Sequence, residues 1–115
     1  MAYNEKIEDQ IESLISSWKS IDKKKMFGGI CYLIRGNMCF GIWKDFLVVR
    51  TGVEVAEEKL KGEDIRPFDI TGRAMKGWVM VAENRWKDPD EMRSWLETGR
   101  DFAMTLPLKK SFALF

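Results

Sequence analysis

The chain contains no histidine. That absence removes the commonest general acid/base and the commonest metal ligand. It contains two cysteines, Cys31 and Cys39, too few for a disulfide framework. Neither has an imidazole to activate it as a nucleophile. There is no Gly-x-Ser-x-Gly elbow, no phosphate-binding P-loop and no dinucleotide fingerprint. The acidic pairs Glu57-Glu58, Glu63-Asp64 and Asp90-Glu91 fall at helix starts or in loops, where solvent exposure explains them. No metal, no cofactor and no enzymatic activity are therefore expected. No apolar run approaches the ~20 residues that cross a bilayer. The beginning, Met1-Ala2-Tyr3-Asn4-Glu5, has no basic stretch followed by an apolar one, so a signal peptide is not expected. A cytoplasmic protein with reduced thiols is the expectation.

What remains is an ordinary globular composition rich in large side chains. The 115 residues suit one domain, residues 1–115. Hydrophobic residues make up 45% and charged residues 32%, enough of each for one core and a solvated surface. Five Trp and seven Phe can fill that core, line a groove or form an interface. The net charge of +1 exerts no global pull toward nucleic acid or membrane, and direct binding of either is not expected. The charge is nonetheless uneven. Residues 1–22 carry two basic and five acidic groups, whereas residues 23–53 carry six basic groups and only Asp45. The plainest reading is that an acidic helix and basic hairpins attract each other across the fold. An anion-binding face is the alternative.

Residues 5–19 predict an amphipathic helix, with Ile7, Ile11, Leu14, Ile15 and Trp18 on one stripe and Asn4 as N-cap. Residues 26–51 predict a three-stranded antiparallel meander turning at Gly36-Asn37 and Lys44-Asp45. Two-residue turns there would set Leu33 opposite Phe40, Cys31 opposite Ile42, Phe40 opposite Val49 and Ile42 opposite Leu47. One face then carries Cys31, Leu33, Met38, Phe40, Ile42, Leu47 and Val49. The other carries Tyr32, Ile34, Cys39, Gly41, Trp43, Phe46, Val48 and Arg50. The cysteines point to opposite faces, so an intrachain disulfide is not expected. Both faces are apolar. One should meet the helices and the other a further cover or an interface.

Residues 54–61 predict a short helix with Val55, Ala56 and Leu60 inward. Residues 65–70 and 78–82 predict two more strands, and Pro67 puts the first of them at a sheet edge. The clearest helix starts at Asp88, with Pro89 at its first position, Glu91 completing a capping box, and Met92, Trp95, Leu96, Gly99, Phe102 and Ala103 on its apolar stripe. The apolar tail Ser111-Phe112-Ala113-Leu114-Phe115 is expected to dock on the domain or on a partner. The polar candidates for a binding site are Lys25, Arg73 and Lys76. Arg73 and Lys76 lie between Gly72 and Gly77, where exposed backbone N–H groups beside a guanidinium would bind an anion. Pairing of Arg73 with a carboxylate such as Asp69, or capping of helix carbonyls by it, is the structural alternative.

A set of blocks carries a resemblance. They are Met26-Phe27-Gly28-Gly29; the hairpin with Gly36, Met38 and Phe40; Phe68 through Gly72-Arg73-Ala74-Met75-Lys76-Gly77-Trp78-Val79; and Trp95 and Ala103 before Leu106-Pro107. Together they resemble the TfoX N-terminal domain family, also called Sxy, over roughly residues 8–110. The resemblance implies an α+β fold in which a five-stranded antiparallel sheet is flanked by N- and C-terminal helices, similar to secretion-chaperone-like folds. It supplies no catalytic residues. Its best-known members regulate competence for DNA uptake together with a cyclic-AMP-responsive activator, and carry a second, helical domain. This chain ends at Phe115 and looks like the stand-alone, single-domain branch. A regulatory or protein-interaction module is the expected function, with a small-molecule or anion-binding domain as the alternative. The partner is expected to be a protein. The second sheet face and the apolar tail are the surfaces through which a homodimer would form.

Overall fold

In a computed structural model the described residues are 3–26, 28–69, 72 and 75–108. Helix α1 (Glu5–Leu14) is capped by the Asn4 side chain, which accepts from the Lys6 amide at 2.9 Å. The chain then enters β1 (Ile21–Met26), β2 (Gly29–Ile34), β3 (Asn37–Trp43) and β4 (Phe46–Arg50). Helix α2 (Val53–Lys59) leads to β5 (Ile65–Pro67) and β6 (Trp78–Val81). The short α3 (Glu83–Trp86) precedes α4 (Pro89–Met104). Among the described residues the strands form one antiparallel sheet in the order β1-β2-β3-β4-β6-β5. The class is α+β with helices at both ends, as expected. The sheet has six strands rather than five.

The extra strand is β1. Its sequence, Ile-Asp-Lys-Lys-Lys-Met, has no apolar alternation, because it is an edge strand and lysines suit an exposed edge. Pro67 lies on the other edge, where its missing N–H costs no ladder bond. Helix α1 is shorter than its periodicity implies, yet Trp18 beyond its end still packs on the core, its ring 6.0 Å from Phe40 at 71°. Val55 turns outward, while Ala56 is buried. The capping box does not close: Asp88 accepts from the Asp90 amide, and the Glu91 carboxylate instead takes Arg85 Nε at 2.6 Å and Trp95 Nε1 at 3.1 Å.

The first hairpin departs most from expectation. It turns at Arg35-Gly36, both with positive φ, one residue before Gly36-Asn37. Asn37 is drawn into β3 because its amide donates to the Pro107 carbonyl at 2.9 Å. Leu33 pairs with Met38, Tyr32 pairs with Phe40, and Cys39 is the extra residue of a β-bulge. The predicted Leu33–Phe40 and Cys31–Ile42 pairs are therefore wrong. The Phe40–Val49 and Ile42–Leu47 pairs are right, because no bulge interrupts β3 and β4. Past the bulge, Tyr32, Ile34 and Cys39 join Phe40, Ile42, Leu47 and Val49 on the helix-facing side. Cys31, Leu33 and Met38 fall with Val48 on the other. The cysteines remain on opposite faces, and both are free.

The larger core lies between the sheet and α1 and α4, with Ile7, Ile11, Met92, Trp95, Leu96 and Ala103 facing the strands. Gly99 sits on this stripe against β3, and a Cβ there would overlap the Cys39 carbonyl oxygen. Gly99→Ala sets a helix-propensity gain of ~1 kcal/mol against overpacking that typically costs ~1–3 kcal/mol. Because the obstacle is backbone, the loss should prevail, and the urea midpoint should fall. A raised midpoint would mean that α4 stands further from β3 than described.

Candidate functional site

The sheet has a second apolar face, and among the described residues no helix residue joins its cluster. Cys31, Leu33, Met38, Val48, Trp78 and Met80 are buried in it. Met26, Trp43, Phe46 and Phe68 border them, partly buried. Phe68 follows β5 and lies against Trp78, ring centroids 5.6 Å apart. A cleft of about 30 Å³ opens where Met26, Cys31, Met38, Trp43 and Phe68 meet. Cations rim the aromatic groups: Lys44 Nζ stands 4.5 Å from the Trp43 ring centroid, and the Arg66 guanidinium 5.7 Å from that of Phe46.

The segment leading into β6 borders this face. The Gly72 amide donates to the Asp69 carbonyl at 2.8 Å, Met75 to Phe68 at 2.9 Å and Trp78 to Met75 at 3.3 Å. Those N–H groups are satisfied within the loop rather than held out toward an anion. Gly77, at φ 86°, lies so close to Gly52 that its carbonyl accepts from the Thr51 and Gly52 amides at 2.8 and 3.1 Å. This brace ties the loop to the start of α2. Lys76 is exposed in the turn before β6. Arg73 lies outside the described residues.

Lys25 belongs elsewhere. It sits on β1 with three strands between it and β6 in the sheet order. Alternation puts Lys23 and Lys25 on the side of α1. Lys23 Nζ bridges Glu8 at 2.5 Å and Glu12 at 3.0 Å. The hydrogen bond from Lys23 holds the Glu8 carboxyl below its ordinary pKa, and the charge of Lys25 adds to that. The same bond raises the pKa of Lys23. Tyr32 completes the group, its hydroxyl donating to Glu12 at 2.7 Å. The attraction between acidic helix and basic strand is thus a physical brace.

Sequence reasoning passed over Arg50. It ends the run Phe46-Leu47-Val48-Val49-Arg50 and pairs with Trp78 across the ladder. Its guanidinium lies 5.3 Å from the Trp78 ring centroid and 5.5 Å from that of Phe102. Burial lowers its pKa, and no carboxylate of the described residues pairs with it. A charge closing an apolar strand was the only sequence signal. Its meaning depends on Trp78, which is brought alongside by a long-range pairing.

The fold and its two faces can now be set beside known proteins. The model of the TfoX N-terminal domain family matches residues 13–103. The chain belongs to that family. The matched span runs from within α1 into α4, so the TfoX N-terminal domain here includes the whole sheet, the second apolar face and the segment entering β6. No curated protein and no solved structure matches the chain. Among the described residues no group of His, Cys, Asp or Glu could hold a metal ion, and no helix is long and apolar enough to cross a membrane.

The cysteines are held as thiols. Burial pushes Cys31 up to about 11 and Cys39 up to about 12, and Cys39 Sγ donates to the Tyr32 carbonyl at 3.3 Å. Thiolate is the reactive form, so a disulfide-exchange reagent at pH 8 should leave the folded protein unmodified. After denaturation without reductant it should find both thiols. Rapid modification of the native protein would contradict the burial, and none after unfolding would contradict the placement on opposite faces.

Proposed function

We propose that this TfoX N-terminal domain is a non-enzymatic, cytoplasmic protein-interaction module with a regulatory role, and that its partner docks on the second face of the sheet. The observation that carries this reading is the aromatic-rich surface of Met26, Trp43, Phe46 and Phe68 over a buried apolar layer that includes no helix residue among the described residues. Thioethers adapt to varied partners, and aromatic groups concentrate binding energy at interfaces. The rim cations Lys44 and Arg66 favour a protein whose own apolar patch is edged by carboxylates. A second copy of the chain is the homodimeric form of the same proposal.

The test compares wild type with Phe46→Glu. Phe46 is partly exposed, so the melting temperature should change little, while proteins captured by wild type should no longer be captured. Sedimentation velocity of the two forms reads the homodimer directly. Identical capture and identical sedimentation would sink the reading.

A second reading is anion binding by the Gly72–Gly77 loop, with Arg73 and Lys76 as ligands. The half-buried Arg50 guanidinium, without a carboxylate among the described residues, favours it. A thermal-shift screen of phosphates and nucleotides tests it. Arg73→Ala should lower the affinity for the best hit roughly tenfold or more, since a charged hydrogen bond is worth ~1.5–3 kcal/mol. Its melting temperature should stay near that of wild type. A destabilised variant with unchanged affinity would assign Arg73 a structural role.

A further inference from the structure

A separate cleft lies at the far end of the helical layer, remote from the second sheet face. It measures about 410 Å³, within the range of small-molecule sites. Its wall is apolar, made by Trp18, Ile34 and Met104. Its rim is cationic, made by Lys19, Arg35 and Arg100, with Ser20 between. We infer that this cleft binds a small organic anion, whose carboxylate or phosphate meets Arg35, Lys19 and Arg100 and whose apolar body lies on Ile34 and Met104.

The charge balance supports this occupant. Arg100 is held over the Trp18 ring, 4.8 Å from its centroid, and is paired with Asp101 at 3.1 Å. That carboxylate is 70% exposed, so water competes strongly for it. No carboxylate of the described residues pairs with Lys19 or Arg35. Three cations therefore face one solvated carboxylate around an apolar wall. Guanidinium groups match the planar oxygens of carboxylate and phosphate. An inorganic ion would use the cations and leave the wall of Ile34 and Met104 bare, whereas an organic anion uses both.

Backbone geometry supplies an independent reason. Arg35 has φ 56° and Gly36 φ 80°, the paired positive values of a tight hairpin turn. That first position favours Asn, Asp or Gly, and a long side chain there is disfavoured. Ser20, also on the cleft, has φ 62°. Among the described residues, two of the four non-glycine positions with positive φ thus line this one cleft. Strained backbone gathers where a side chain is wanted for binding. Among the described residues Arg35 packs on no ring and pairs with no carboxylate, so nothing there requires the turn residue to be arginine.

The turn therefore separates a structural from a binding role. Asparagine suits the left-handed position better than arginine, so Arg35→Asn should melt at or above the wild-type temperature. The probe is 8-anilinonaphthalene-1-sulfonate, an anion on an apolar body, followed by its fluorescence. Arg35→Asn should weaken its binding roughly tenfold, the loss of one charge-assisted contact, and added salt should weaken wild-type binding. Equal affinity of wild type and Arg35→Asn would overturn the inference. So would loss of binding in Trp43→Glu but not in Arg35→Asn, because the probe would then sit on the second sheet face. Competition by laurate or by a nucleoside monophosphate separates a lipid-like from a nucleotide-like ligand. Displacement by neither at millimolar concentration would also overturn it. Success or failure here leaves the interaction face untouched, since Phe46 lies on the other side of the sheet.

Discussion

Helix α4 lies so close to β3 that only a glycine fits between them, and the rest of the domain is arranged around that approach. Gly99 faces the carbonyl of Cys39, and Cys39 is the residue that the bulge adds to β3. An unbulged strand would send Cys39 and Phe40 to opposite faces. The bulge sends both toward the helices. Phe40 then meets Tyr32 at 5.2 Å and Trp18 at 6.0 Å between ring centroids. Tyr32 reaches Glu12 on α1, and Trp18 takes the guanidinium of Arg100 from α4. One irregular residue in β3 thereby fixes how both long helices sit on the sheet.

The parts of this fold legible in the sequence are those whose causes are local. The Asn4 cap, the start of α4 at Pro89, the β3–β4 register and the edge position of Pro67 each follow from residues a few positions apart. The parts that escaped depend on tertiary partners that a local pattern does not name. Asn37 reads as a turn residue, yet its amide bonds to a carbonyl 70 residues away, which moves the turn to Arg35-Gly36. Glu91 reads as half of a capping box, yet Arg85 and Trp95 hold its carboxylate. Strand β1 does not read as a strand because its run of three lysines hides the alternation, and only the tertiary pairing of Lys23 with Glu8 and Glu12 on α1 reveals its inner side. Of the candidate site residues, Lys25 lies on β1, away from the segment entering β6, and Lys76 lies in an exposed turn. The rings that Arg50 and Arg100 lie on, Trp78 with Phe102 and Trp18, were not legible from the residues beside those arginines.

Two different uses of positive charge emerge. On the α1 side Lys23 is neutralised by two carboxylates, and Tyr32 closes the group. That cluster stabilises the folded protein and leaves little charge to offer a ligand. Arg50, Lys19 and Arg35 have no carboxylate partner among the described residues and lie beside aromatic or apolar groups. A cation over a ring keeps much of its charge available while its apolar neighbours thin the surrounding water. Positive charge is thus concentrated locally although the net charge of the chain is only +1.

The same division explains why the sheet is apolar on both sides. A sheet with one solvated face needs polar residues at every second position. Here Cys31, Leu33, Val48 and Met80 occupy those positions, and the larger core already has its helices on the opposite side. Folding the helical layer does not require that second layer of apolar side chains. Its members cover one another, and Phe68 closes over Trp78 from the end of β5. Selection for stability of the helical core alone would allow polar replacements along its border. Trp43, Phe46 and Met26 stand there instead, large, apolar and only partly buried, and that is the composition expected of a surface that is completed by another molecule.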